Sequence, residues 1–182
     1  MSEIADRYRR LSDAFAAKVA AVPGPKWSAP TPCPDWNVGD LVGHVVGTQG
    51  MFLGFIGAEM GPQPSVADDP VKAFDGARAA VQEILDDPAR AATEFEGMLG
   101  RTTFETGVNT FLCTDLVVHG WDLARAAGLD ETISPAEIPK VWAAMKPLSD
   151  TMRSPRAFGP EVEAPPDADE QTRLLCFLGR NP

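Results

Sequence analysis

Apolar residues recur at three-to-four spacing along most of this chain, and proline, glycine and small polar residues punctuate the periodic stretches. The first stretch, Glu3 to Ala21, places Ile4, Tyr8, Leu11, Phe15 and Val19 on one helical face and ends at Pro23-Gly24-Pro25. A proline-rich turn, Pro30-Thr31-Pro32-Cys33-Pro34, leads to a second helix. Asn37 is placed to cap that helix with Asp40 in the capping-box position, and the pattern runs to about Met60 before Gly61-Pro62. A third helix is predicted from Pro70 to about Leu85, and a fourth from about Thr103 to Ala127, stopped by Gly128. A fifth should start at Ser134-Pro135, serine as cap and proline in the first turn, and reach about Met152. A proline-rich arm follows, then a short closing helix from Glu170 to Leu178. Ala89 to Arg101 reads as irregular, and Phe158 to Glu163 as at most a short extended piece. With no repeat and no convincing strand, the expectation is an all-α fold: an antiparallel four-helix bundle with additional short C-terminal helices, in one domain over residues 1–182.

The second helix changes the picture. Leu41 to Ala58 carries no formal charge and is long enough to span most of a bilayer, and Gly43, Gly47, Gly50, Gly54 and Gly57 form a narrow stripe along it. His44, Thr48 and Gln49 are costly in lipid, however, and no Lys or Arg cluster flanks the segment. The favoured reading is a buried helix whose glycine edge admits a neighbouring backbone or a ligand. Sixteen Lys and Arg against 26 Asp and Glu give a net charge of -10, which argues against nucleic acid or an anionic membrane as partner. Three widely spaced cysteines (Cys33, Cys113, Cys176) form neither a disulfide framework nor a zinc knuckle and fit a reducing cytoplasm. No basic, apolar leader precedes the first helix, so a cytoplasmic location is expected.

The chain has two histidines, both inside long apolar helices. Asp115, His119 and Asp122 stand at i, i+4 and i+7 and share one helical face within about 60°, together with Val108, Phe111, Leu112 and Ala126. Buried charges need a partner or a metal, and a borderline divalent cation suits this nitrogen-and-oxygen set. An i, i+4 ion pair, or a histidine hydrogen-bonded in the core, fits the spacing too. His44 lies between the apolar arc of its helix (Val38, Leu41, Val45, Phe52, Ile56) and the glycine stripe, with Thr48, Met51 and Phe55 on its side. Cys33 reads as a packed turn thiol, Cys113 and Cys176 as core, and Trp36 and Trp121 as packing anchors. Asp122 has two readings: an acceptor that orients His119, or the partner of an arginine such as Arg125. No phosphate loop, nucleophile elbow or dinucleotide fingerprint occurs.

The run Thr31-Pro32-Cys33-Pro34-Asp35-Trp36-Asn37-Val38, followed by Asp40-Leu41-Val42-Gly43-His44, resembles the N-terminal signature of the mycothiol-dependent maleylpyruvate isomerase family, within the DinB-like superfamily. Asp115 to Ala126, with its His-Gly-Trp-Asp-Leu-Ala core, is similar to that family's second metal helix. The ending Arg173 to Pro182 is similar to the tail of an actinobacterial branch of uncharacterised metal-binding proteins. Carried over by position, the resemblance implies His44, Asp115 and His119 as metal ligands. It implies a divalent ion, zinc first and nickel second, with mycothiol as cosubstrate. Two departures stand against the specific isomerase activity. The family acid is often glutamate rather than aspartate, and the isomerase continues into a further C-terminal domain for which 182 residues leave no room.

Three protein ligands leave an open position on zinc, where a thiol can bind and lose its proton. The resemblance therefore implies a thiol-dependent S-transferase or isomerase, its partners a small-molecule thiol and an electrophile, with a homodimer left open. Metal-activated water for hydrolysis, and a metal-binding or sensing protein without catalysis, are the alternatives. Histidine binds metal only when neutral, so affinity is expected to fall below a pH of about 6.5.

Overall fold

The computed structural model describes residues 2–97, 100–153 and 159–182. Four long helical stretches carry the fold: α1 (Glu3–Ala21), α2 (Val38–Phe55), α3 (Pro70–Asp86) and the stretch that ends in α6 (Cys113–Ala127). Between α3 and α6 lie a short α4 (Pro88–Ala91), strands β1 (Glu94–Gly97) and β2 (Gly100–Thr103), and α5 (Phe104–Gly107). A π-helical turn, Val108–Leu112, joins α5 to α6 without a break. After α6 come α7 (Ile138–Met145), α8 (Ser149–Met152) and α9 (Glu170–Phe177). The fold is all-α apart from the small antiparallel hairpin, in which Phe95 pairs with Thr102 and Glu96 with Arg101.

Helix α3 packs on α1 and α2, and α6 packs on the same two, so the order around the bundle is α1, α3, α2, α6. Phe15, Leu41, Val45, Leu53, Phe74, Val81, Ile84 and Leu112 fill the interior, each essentially sealed from water. Burying one such side chain contributes about 1.5–3 kcal/mol, so this interior outweighs the helices' own propensities. A second apolar cluster sits on the other face of α6, where Val117, Val118 and Trp121 meet Ile138 and Val141 of α7 and Leu174, Leu175 and Phe177 of α9. Helix α6 is therefore buried on both sides, and a polar group on it must find a partner inside the protein.

The capping box of α2 forms as expected: the Asn37 side chain accepts from Asp40 N, and Asp40 accepts from Asn37 N, each at 3.0 Å. The same helix ends five residues before Met60. Gly57 adopts φ +69, its N–H bonds Gly54 O at 3.1 Å, and Ala58 N bonds Leu53 O at 3.0 Å. This pair of bonds closes the helix, so Gly57 is its terminator rather than the last member of a packing stripe. The rest of that stripe differs from expectation too. Gly47 and Gly54 are exposed, a Cβ added at Gly43, Gly47 or Gly54 would meet nothing within 4 Å, and only Gly50 is covered, by Met60. The glycine edge faces outward and admits no neighbouring backbone.

Two further expectations are corrected. Residues 89–101 hold α4 and most of the hairpin rather than irregular chain, because Phe95 finds an aromatic partner in Phe55, stacked at 5.0 Å. The fifth helix starts at Ile138, not Ser134: Ser134 O accepts from Glu137 N in a preceding turn, and Pro139 takes the first helical turn instead. Pro147 then breaks it into α7, a 3-10 turn (Lys146–Leu148) and α8. The extended piece expected at Phe158 to Glu163 lies partly outside the described residues. Its later part joins no ladder but ties to α9 through Val162 N to Cys176 O at 2.9 Å. No helix among the described residues is long and apolar enough to cross a membrane.

Candidate metal centre

Helices α2 and α6 lie side by side in the bundle and bring His44, Asp115 and His119 together. Asp115 Oδ1 lies 3.4 Å from His44 Nε2 and 3.3 Å from His119 Nε2, and the three donors fall within 4.8 Å of one another. Donors about 2.0–2.1 Å from a tetrahedral zinc stand about 3.3–3.4 Å apart, so the spacing fits a shared ion. The second Asp115 oxygen, Oδ2, is buried and has no hydrogen-bond partner. A buried carboxylate oxygen without a donor is costly, and a cation between the three side chains would compensate it. The side chain of His44 is 32% exposed against 10% for His119, so the centre opens towards solvent on the α2 side, next to the uncovered edge at Gly43 and Gly47.

The turn before α2 forms a cover over the centre. Thr31 N and Thr31 Oγ1 both donate to Trp36 O at 3.0 Å, and Cys33 N donates to Thr31 Oγ1 at 3.1 Å. Asp35 supplies the bend at φ +66, a conformation that aspartate tolerates better than most residues. The Trp36 ring then lies 4.7 Å from that of His44 and 5.9 Å from that of His119, centroid to centroid. Trp36 is thus more than a packing anchor: it shields one side of both rings. Thr48 Oγ1 donates to His44 O at 2.9 Å, which holds the hydroxyl beside the imidazole.

Behind His119 the structure resolves the two readings of Asp122 by satisfying both, with a different arginine. His119 Nδ1 lies 2.9 Å from Asp122 Oδ2, leaving Nε2 to face Asp115 and His44. Arg180 Nη2 donates to Asp122 Oδ2 at 2.9 Å and its Nε to Oδ1 at 3.3 Å, whereas Arg125 pairs with Glu131. Cys33 also faces this group, its thiol donating to Asp122 Oδ2 at 3.4 Å and lying 3.8 Å from His119 Nδ1. Cys33, His119 Nδ1 and Asp122 form a second donor group by distance alone. Arg180 already supplies the positive charge there, 3.7 Å from the sulfur, so a metal ion would meet like charge. Arg180 carries no expectation from sequence. The signal was the Gly179-Arg180 pair directly after a helix, a pattern that fixes where the arginine points. Cys113 and Cys176 are buried as expected, and burial pushes the Cys113 thiol up to about 12, which leaves it inert.

Charge follows the same geometry. Burial raises the proton affinity of Asp115, but the His119 charge and the hydrogen bonds from both histidines outweigh it and hold this carboxyl well below its usual range. Burial likewise works against ionised Asp122, and hydrogen bonding to His119 with the charge of Arg180 brings it down to about 2. His119 is pulled down by burial and pushed up more strongly by the charge of Asp115 and by bonds to Asp115, Asp122 and Cys33. The net direction is well above the ordinary histidine value. Without a metal, a proton on His119 and the Arg180 guanidinium are the counter-charges to the two carboxylates.

A protein-family model described as the mycothiol maleylpyruvate isomerase N-terminal domain matches residues 8–124, a span that contains His44, Asp115, His119 and Asp122 but not Arg180. The chain is also similar to uncharacterised proteins of Mycobacterium tuberculosis strains CDC 1551 / Oshkosh and ATCC 25618 / H37Rv. Each is 32% identical over 177 residues, covering 95% of this chain and 95% of the relative. No solved structure matches it significantly. With the family model spanning well over half of the residues and both candidate histidines inside that span, the chain belongs to the family of the mycothiol maleylpyruvate isomerase N-terminal domain.

Proposed function

We propose that this protein binds one divalent ion, zinc or nickel, through His44, Asp115 and His119, and uses it to activate a low-molecular-weight thiol of the mycothiol class for S-transfer or isomerisation. The observation that carries the reading is the convergence of both histidine Nε2 atoms on Asp115 Oδ1, beside an Asp115 Oδ2 that is buried without a donor. A metal held by three protein side chains keeps a coordination position for a thiol and lowers its pKa. The chain's own groups do the rest. Asp122 holds the His119 ring with Nε2 facing inward, and Trp36 keeps bulk water from one side of both imidazoles. His44, its side chain 32% exposed, is the side from which a thiol would approach. The mycothiol assignment rests on the family, and the electrophile is unspecified.

The discriminating experiment loads purified protein with zinc and incubates it with mycothiol and a panel of electrophiles, maleylpyruvate among them. Thiol adducts or mycothiol-dependent isomerisation support the proposal. Water adducts formed without thiol move the protein to the hydrolases. Tight zinc binding without turnover leaves a binding or sensing protein. A chain that takes up no divalent ion overturns the reading.

A further inference from the structure

We infer that Arg180, carried by the turn that closes α9, is the positioning residue of the metal centre: it clamps Asp122, and through Asp122 it fixes the ring of His119. The inference rests on the proposed metal ligands and adds a residue outside the part of the chain that the family model covers.

The geometry is set by local sequence. Helix α9 ends with Gly179 N bonded to Cys176 O at 2.9 Å and Arg180 N bonded to Leu175 O at 2.9 Å, the two bonds of a Schellman motif. Gly179 adopts φ +80, and a Cβ there would come within 3.0 Å of the Gly159 and Pro160 backbone. Glycine is therefore required both by the turn and by the chain that crosses it. This turn sends the next side chain, Arg180, back under α6. There its Nη1 donates to Leu178 O at 2.9 Å, and Nε and Nη2 grip the two oxygens of Asp122. The side chains of Arg180 and Asp122 are 8% and 0% exposed. A planar guanidinium on both oxygens of one carboxylate fixes its orientation as well as its charge. Asp122 Oδ2 then stands 2.9 Å from His119 Nδ1 and defines which ring nitrogen faces the metal position. Arg180 touches none of the three proposed ligands, so its effect on metal binding passes through Asp122 first, by two hydrogen bonds, and only secondarily through the longer contact with Cys33.

The test compares wild type with Arg180→Ala, Arg180→Lys and Gly179→Ala, with His119→Ala as reference. Zinc affinity is measured by chelator competition. The ring N–H of His119 is followed by proton NMR of the cobalt-substituted protein, where it is shifted far from the bulk signals and its exchange with water can be timed. Loss of an outer partner of a metal-bound histidine weakens binding by about 10–100-fold. Arg180→Ala should fall in that range, and the His119 N–H should exchange faster. Arg180→Lys should recover part of both, keeping the charge without the two-point grip. Gly179→Ala, which keeps Arg180 but strains the turn that aims it, should resemble Arg180→Ala. A general loss of packing would lower the melting temperature without selectively speeding exchange at His119. Should Arg180→Ala fail to fold, Arg180→Lys and Gly179→Ala carry the same comparison. Wild-type affinity and unchanged exchange in these variants, while His119→Ala loses zinc, would overturn the inference and leave the ligand assignment standing. No zinc uptake by wild type would instead remove the reading on which it rests.

Discussion

On the proposed ligand set, zinc and a proton would compete for one nitrogen of His119, and the surroundings of that ring set the terms. Asp122 Oδ2 lies 2.9 Å from Nδ1 and Asp115 Oδ1 lies 3.3 Å from Nε2. With both carboxylates ionised, the metal-free ring keeps its proton well above the ordinary histidine range. Zinc needs the Nε2 lone pair, so binding must expel that proton. While the ring is protonated, each unit of pH changes zinc affinity tenfold, equal to about 1.4 kcal/mol. Affinity should therefore still climb by about one decade per unit above a pH of about 6.5, where an ordinary histidine would have levelled off. This moves the onset of metal loss upward from the value expected of an unperturbed side chain. Titration calorimetry at a pH of about 7, in two buffers of different ionisation enthalpy, should give about one proton released per zinc. Stability carries the matching sign. A raised folded-state pKa stabilises the metal-free protein fully below the unfolded value of about 6.5, and the contribution is lost as pH rises through the folded value. The melting temperature of the metal-free protein should therefore decline on the alkaline side, and zinc should remove the decline. Proton release near zero, with affinity flat from about pH 6.5 upward, would refute the account of His119.

Four further outcomes are expected. His119→Ala should abolish zinc uptake, because His44 and Asp115 alone cannot close a useful site. His44→Ala should lose zinc with circular dichroism unchanged, since α2 is held by Leu41, Val45, Phe52 and Leu53; helicity collapsing in step with metal loss would make these histidines core structure. Glu137→Ala removes the partner of buried Arg7, which it meets at 2.8 Å through Nε and 2.7 Å through Nη2, and should cost about 3–5 kcal/mol by urea denaturation, with a cost below about 1 speaking against the pair. Phe74→Ala empties a sealed site 4.8 Å from the Phe15 ring and should cost about 3–5 kcal/mol; a loss below about 1 would mean the bundle interior is not organised around this pair.

The long helices were legible because each carries its core face at helical period and its stop signal in sequence, as with Asn37 and Asp40 at the start of α2. Where expectation failed, two local signals competed. Gly57 counted equally as a member of a glycine stripe and as a helix terminator, and the left-handed turn prevailed. Ser134-Pro135 reads as a helix start, but Pro139, five residues after Ser134, suits a first turn as well, and Pro147 breaks the helix that follows. The hairpin was missed because four-residue strands have too few positions to show alternation. Of the site, His44, Asp115 and His119 could be nominated from helical spacing and family likeness. Asp122 was nominated with two partners, and Arg125 was the wrong arginine. Arg180 lies 58 residues from Asp122, and only the folded chain brings that distance to 2.9 Å.

The π turn at Val108–Leu112 has a consequence for how this protein can vary in length. A single extra residue is accommodated there, and an α-helix advances about 100° per residue. The turn thus sets the phase between two halves of one continuous rod. Upstream, Phe104 is directed into the bundle; within the turn, Asn109 meets Arg7; downstream, Asp115, His119 and Asp122 face the candidate centre. Deleting one residue from the turn would allow a regular helix but rotate one half against the other by about 100°, so either the hairpin end or the ligand face would lose its alignment. Deleting Thr110 should either abolish zinc uptake, with every donor residue still present, or keep uptake and lower the melting temperature by unseating Phe104 and the hairpin.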